Sequence, residues 1–209
     1  YSCSNLLRVN LANCKEIGNY AFSDCAKIVS VVMPKIEKIG EGAFSRYSTL
    51  GGAPIFTTVV LPDTLTFIGD GAFLGCEKLS EITIPSSVSS LGDYTFAYCL
   101  LLETVNLPDT IEKIGLYTFA GCEYLEFINL ENIKEVSDYA FTSCVYLENI
   151  DLTNVETIGE AAFADTYVSG TLTMNKLKVV KDFAFQGARI NSISASNLEE
   201  IGYAAFQNN

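Results

Sequence analysis

Apolar positions recur along this chain in a fixed order. An aliphatic residue and usually a glycine are followed three residues later by Ala or Thr and then Phe, as in "IGNYAF" (17–22), "IGDGAF" (68–73) and "IGLYTF" (114–119). Nine such segments occur, and their phenylalanines stand 22, 29, 23, 23, 22, 22, 22 and 21 residues apart. A period of this size predicts a solenoid, in which each rung buries its apolar face by stacking on the next. Past Phe the repeat continues with L-x-x-[IV]-x-[LI], as in "LSEITI" (79–84) and "LETVNL" (102–107). The alternation at its end predicts a short strand with one face inward, and strands of successive rungs would pair in parallel. Pro34, Pro62, Pro85 and Pro108 would end that strand, because proline has no N–H to donate. Gly69, Gly92 and Gly115 predict a tight entry, and Asp70, Asp93 or Asp138 suits the start of a short helical turn. The long interval holds "STLGGAPIF" (48–56), whose Gly-Gly and Pro predict a loop bulging from the stack.

Six of the seven cysteines share one place in the repeat: Cys25, Cys76, Cys99, Cys122 and Cys144 lie three residues after Phe, and Cys3 fits if a preceding Phe is missing. Tyr47, Thr166 and Ala188 fill the same slot elsewhere. A position shared by Cys, Thr and Ala asks for a small side chain, so these thiols read as free, buried packing groups. No paired spacing suggests zinc.

The chain has 209 residues, 49% hydrophobic and 18% charged, with a net charge of −12 and no histidine. The acidic balance and scattered basic residues argue against nucleic acid and anionic membranes. No apolar run reaches the roughly 18 residues of a membrane helix. The missing histidine removes the commonest general base and metal ligand, and no other catalytic or cofactor-binding constellation stands out. The expectation is a protein without enzymatic activity or cofactor.

The stretches "LPDTLTFIGDGAFLGCEKL" (61–79) and "LPDTIEKIGLYTFAGCEYL" (107–125) resemble the BspA-type leucine-rich repeats of bacterial surface antigens, and the likeness covers essentially the whole chain. It implies an α/β solenoid: a leucine-rich repeat right-handed superhelix with a parallel β-sheet on the concave face and short helical turns on the convex face. It also implies turns held by packing more than by an asparagine ladder. Residues 1–209 then form a single domain of about nine repeats of 21–23 residues, with an insertion loop near 48–56. "YSC" at the start and "AAFQNN" at the end read as cut rungs, so the expectation is a segment of a longer protein.

The strand positions facing away from the core are candidate binding residues: Val32, Val60, Glu81, Thr83, Thr104, Asn106, Phe127, Asn129, Asn149 and Asp151. Most are short and polar; Phe127 is the large exception, and an exposed aromatic among polar residues suits a protein partner. Tyr20, Tyr94, Tyr117 and Tyr139 form a second stripe just ahead of Phe, with Phe183 and Tyr203 assigned to it as well. The resemblance implies an interaction module, on the cell surface or secreted, that binds a host matrix or cell-surface protein. A structural spacer with no ligand of its own is the alternative.

Overall fold

The computed structural model describes residues 3, 5–47 and 52–209. Residues 48–51 of the expected insertion, and residues 1 and 2 of the expected cut rung, lie outside the described residues.

The chain is a parallel β-solenoid whose rungs are joined by three columns of backbone hydrogen bonds. The first ladder uses the alternating segment and runs through Arg8–Asn10, Ser30–Val32, Glu81–Thr83, Thr104–Asn106, Phe127–Ile128, Ser169–Thr173 and Arg189–Ser194. Thr58 joins it by a bridge to Glu81. Its pairs are parallel, with Glu81 beside Thr104 and Thr104 beside Phe127; the pair of Ser169–Thr173 with Arg189–Ser194 shifts register between Gly170 and Thr171. The second ladder uses the two residues ending in the aliphatic of the I-G motif, for example Lys113–Ile114, Glu135–Val136, Thr157–Ile158, Val179–Val180 and Glu200–Ile201, again all parallel. Between the ladders the prolines open turns: the N–H groups of Leu65, Val88 and Ile111 return to the carbonyls of Pro62, Pro85 and Pro108.

The third column corrects the expected convex helices: no helix occurs among the described residues. The segment from Gly to Cys is instead a run of overlapping β-turns. In the rung of Phe119, the Thr118, Ala120 and Cys122 N–H groups bond back three residues, to Gly115, Tyr117 and Phe119. The intervening N–H groups of Tyr117, Phe119 and Gly121 donate instead to Asp138, Ala140 and Thr142 of the next rung. Tyr117 and Gly121 have φ of 52° and 69°; a positive φ at the third residue is the mark of a type II turn and is incompatible with a helix. Half the donors thus leave the segment, which satisfies the backbone as fully as a helix would while tying rung to rung.

The core lies between the columns. Phe44, Phe73, Phe96, Phe119, Phe141, Phe163 and Phe185 are fully buried. From Phe73 to Phe185 their rings stack with centroids 5.1–5.6 Å apart and nearly parallel. Such stacks are worth about 0.5–1.5 kcal/mol per pair beyond burial. Cys76, Cys99, Cys122 and Cys144 run alongside, each donating its thiol to the carbonyl of the Phe in the preceding rung, at 3.1–3.4 Å. All seven cysteines are free.

Two further expectations change. Asp70, Asp93 and Asp138 do not cap helices. Their Oδ1 atoms accept backbone N–H groups of the following rung, from Asp93, Leu116 and Glu160 at 2.8–2.9 Å, as do Asn19 and Asp182. An Asn/Asp ladder therefore does help hold the turns. The described part of the insertion also packs inward: Phe56 is buried against Phe44 with centroids 5.9 Å apart, in the place that Leu79 and Leu102 take in the next rungs. Its "FTTVVL" (56–61) is the L-x-x-[IV]-x-[LI] segment with Phe for Leu.

Candidate functional site

The outward side of the first ladder carries the predicted binding residues. Val32, Val60, Glu81, Thr83, Asn106, Phe127, Asn149 and Asp151 are exposed, and Thr104 and Asn129 are half-buried. Register brings Thr58, Glu81, Thr104 and Phe127 into one row and Thr83 and Asn106 into the next. The rows are knit by polar contacts between rungs, Asn106 Nδ2 to Thr83 Oγ1 at 3.3 Å and Thr171 Oγ1 with Ser192 Oγ at 2.7 Å. Large apolar side chains interrupt them. Val60 is 81% exposed, and Val32 and Phe127 are each 52% exposed. A shallow depression of about 450 Å³ lies between Val60, Asp63, Glu81 and Thr83.

Other residues of the set are engaged by the fold. Both amide atoms of Asn129 bond the Leu107 backbone, Oδ1 accepting its N–H at 2.8 Å and Nδ2 donating to its carbonyl at 2.9 Å. Asn149 and Asp151 lie where the first ladder has no strand, and Asp151 accepts the Thr153 N–H at 2.8 Å. The Thr153 hydroxyl and backbone N–H hold the Asp151 carboxyl below its ordinary range.

Beside the second ladder, charges of opposite sign alternate from rung to rung. Lys134 pairs with Glu112 at 2.7 Å and Lys178 with Glu156 at 2.6 Å, and the backbone bonds of this column continue to Glu199. Lys113–Glu135, Lys38–Glu16 and Lys15–Glu37 repeat the arrangement. Exposed pairs of this kind contribute about 0–1 kcal/mol each. Lys181 reaches back two rungs to Asp138 at 3.0 Å. Burial raises the Asp138 pKa, but the Glu160 N–H and the Lys181 ammonium outweigh it and leave the carboxyl below its ordinary value.

The tyrosine stripe crosses the turn segments. Tyr94, Tyr117 and Tyr139 form one stack with centroids 4.9 and 4.7 Å apart. Tyr20, Tyr94, Tyr117 and Tyr139 all sit at positive φ, a conformation costing a non-glycine residue about 1–2 kcal/mol. Two rungs have glycine instead, Gly42 and Gly71, so the stripe is interrupted between Tyr20 and Tyr94. Tyr20 and Tyr139 donate their hydroxyls to Glu41 and Glu160 of the next rung, which pushes both pKa values to about 12. Tyr203 does not continue the stripe: it stands one residue early, Ala204 takes the positive-φ place, and the ring is 74% exposed. Pattern reading missed Tyr47 and Tyr98, which expose their rings beside this gap. It also missed Phe67, half-exposed on the second ladder. The only available signal was a large aromatic in a slot that other rungs often fill with Cys for Tyr47, with Gly for Tyr98, and with Glu or Lys for Phe67.

The buried thiol column offers no reactive centre. Burial pushes the Cys76, Cys99, Cys122 and Cys144 thiols well above their ordinary range. No group of three His, Cys, Asp or Glu side chains able to hold a metal occurs among the described residues. No helix there is long and apolar enough to cross a membrane.

A stack of parallel rungs with an open polar face and an interrupted aromatic stripe defines a leucine-rich repeat scaffold. The profile of the BspA type leucine rich repeat region matches in six copies, over residues 1–51, 52–169 and 89–209. The chain belongs to this family. Among solved structures it is similar to a leucine-rich repeat protein from Bacteroides ovatus, at 26% identity and a TM-score of 0.75, over 99% of this chain and 65% of that one. It is also similar to the T. pallidum leucine rich repeat protein, at 26% identity and a TM-score of 0.66, over 84% of this chain and 83% of that one. The pneumococcal vaccine antigen PcpA shares the fold at 20% identity and a TM-score of 0.52, over 94% of this chain and 57% of its own. No curated protein gives a significant match.

Proposed function

We propose that this chain is a non-enzymatic protein-interaction module of a cell-surface or secreted adhesin-like protein, and that it binds a host matrix or cell-surface protein through the outward side of the first ladder. The observation that carries the reading is the exposure of Val60 and Phe127 on either side of the polar rows at Glu81–Thr83 and Thr104–Asn106. Interface anchors are aromatic or aliphatic groups set in a polar surround, and solenoids offer extended faces rather than pockets. Kinship with repeats of bacterial surface antigens supports the localisation.

Surface plasmon resonance against a panel of extracellular-matrix glycoproteins tests it, with Phe127→Ala and Val60→Ser as paired variants. Saturable binding to one of them, weakened at least tenfold by the pair with unchanged thermal stability, is the expected result. Equal binding by wild type and variants removes this face from the reading. A spacer role is distinguished by excising two internal rungs, which shortens a spacer in proportion and leaves its attached domains working.

A further inference from the structure

We infer that the interruption of the tyrosine stripe is a binding slot for an arginine side chain of a protein partner, separate from the first-ladder face. The slot, of about 200 Å³, lies between Tyr20 and Tyr47 of the earlier rungs and Tyr94 of the later one, and Leu74, Glu41 and Asp70 also line it. Its size suits one side chain, since pockets for drug-sized ligands run to about 300–1,000 Å³.

The rings are held open by the rungs themselves. Tyr20 leans forward across Gly42, where a Cβ would meet its ring at 2.4 Å, and its hydroxyl is fixed by Glu41. Tyr47 packs edge-on to Tyr20 at 5.5 Å, and its N–H is held by Asp24 Oδ1 at 3.0 Å. Tyr94 stacks forward on Tyr117, and its backward neighbour in the column is Gly71. Glycine at two successive rungs therefore leaves aromatic surface facing a space that no stripe side chain fills.

Charge selects the occupant. Glu41 and Asp70 line the slot, and no Lys or Arg does so among the described residues. The adjoining depression of about 410 Å³, which shares Tyr47 and Leu74, shows the complementary case: there Arg46 lies paired with Glu77. A guanidinium is planar and weakly hydrated, so it can lie against a tyrosine face while its fork meets a carboxylate. Ammonium lacks that geometry. The −12 charge of the chain would steer a basic partner toward it.

The test is an NMR titration of the full 209-residue chain, with tyrosine rings labelled, using N-acetyl-arginine methylamide and its neutral isostere N-acetyl-citrulline methylamide. The arginine probe is expected to shift the Tyr20, Tyr47 and Tyr94 rings saturably at millimolar concentration while leaving Phe127 still. The citrulline probe should leave all four unchanged. Tyr94→Ala should weaken binding about fivefold. Glu41→Gln combined with Asp70→Asn keeps the hydrogen-bond acceptors and the fold, and should weaken it about tenfold. Equal shifts from citrulline, undiminished binding by the Glu41→Gln/Asp70→Asn protein, or shifts confined to the Phe127 face would each overturn the assignment.

Discussion

The Asp70 carboxylate accepts the Asp93 backbone N–H of the next rung at 2.9 Å, and a methyl group placed on Gly92 would come within 2.5 Å of the same oxygen. The two residues form a unit: the backbone of the Asp that ties one rung to the next, together with its Oδ1, leaves no room for a Cβ on the glycine. The pairing recurs as Asn19 with Gly40, Asp93 with Gly115, Asp138 with Gly159 and Asp182 with Gly202. Where Leu116 or Glu160 replaces the Asp, the next rung has Ser137 or Lys181 in place of Gly. Gly69 follows Glu41 and meets backbone atoms alone.

Gly92→Ala and Gly159→Ala should therefore each lower stability by about 1–3 kcal/mol through overpacking. Ser137→Ala, at the equivalent place after Leu116, should change it by less than about 0.5 kcal/mol. Urea denaturation of the three variants checks this, and equal losses at all three would break the Asp–Gly linkage.

Phe119→Ala empties the middle of the ring stack and should cost about 3–5 kcal/mol. Tyr117→Ala keeps the strained backbone and loses two stacking contacts, a loss of about 1–3 kcal/mol. Guanidinium melts of both variants should place Phe119 well ahead.

The thiols give a direct reading of inside and outside. Five cysteines are buried, Cys3 is exposed and Cys14 is partly exposed. A thiol reagent at pH 8 should modify Cys3 and Cys14 in the native protein and all seven after unfolding. Rapid labelling of Cys99 or Cys122 under native conditions would contradict the packing described above.

Acid should release the Lys181–Asp138 tie. Asp138 has a lowered pKa in the folded chain, so its contribution is complete above the ordinary aspartate value of about 3.9 and is lost as pH falls through the lower folded value. Asp138→Asn should therefore be less stable than wild type near pH 7, and the gap should close below about pH 4. A gap that persists into acid would place the effect outside ionisation.

Much of this was legible in the sequence because the rung repeats. The Phe spacing gave the pitch, and the slot shared by Cys, Thr and Ala gave a buried column. The L-x-x-[IV]-x-[LI] segment gave the first ladder. The turn segment was misread as helical because Gly, Asp and two apolar residues at that spacing suit a helix start, while the bonds that settle the matter join residues 20–22 apart, or 28 across the insertion. Nothing local to Asp70 announces that its partner is Asp93. Asn129 looked free for the same reason, its partner Leu107 being 22 residues away. The slot between Tyr20 and Tyr94 was missed because it consists of what two glycines omit.

The alternation of Glu112, Lys134, Glu156, Lys178 and Glu199 gives the stack a parity. Excising one rung would set Glu112 against Glu156, or Lys134 against Lys178, while excising two would restore opposite neighbours. Gene rearrangements that lengthen or shorten this stretch should therefore survive more readily in even steps, so the lineage would carry a memory of charge in its repeat number.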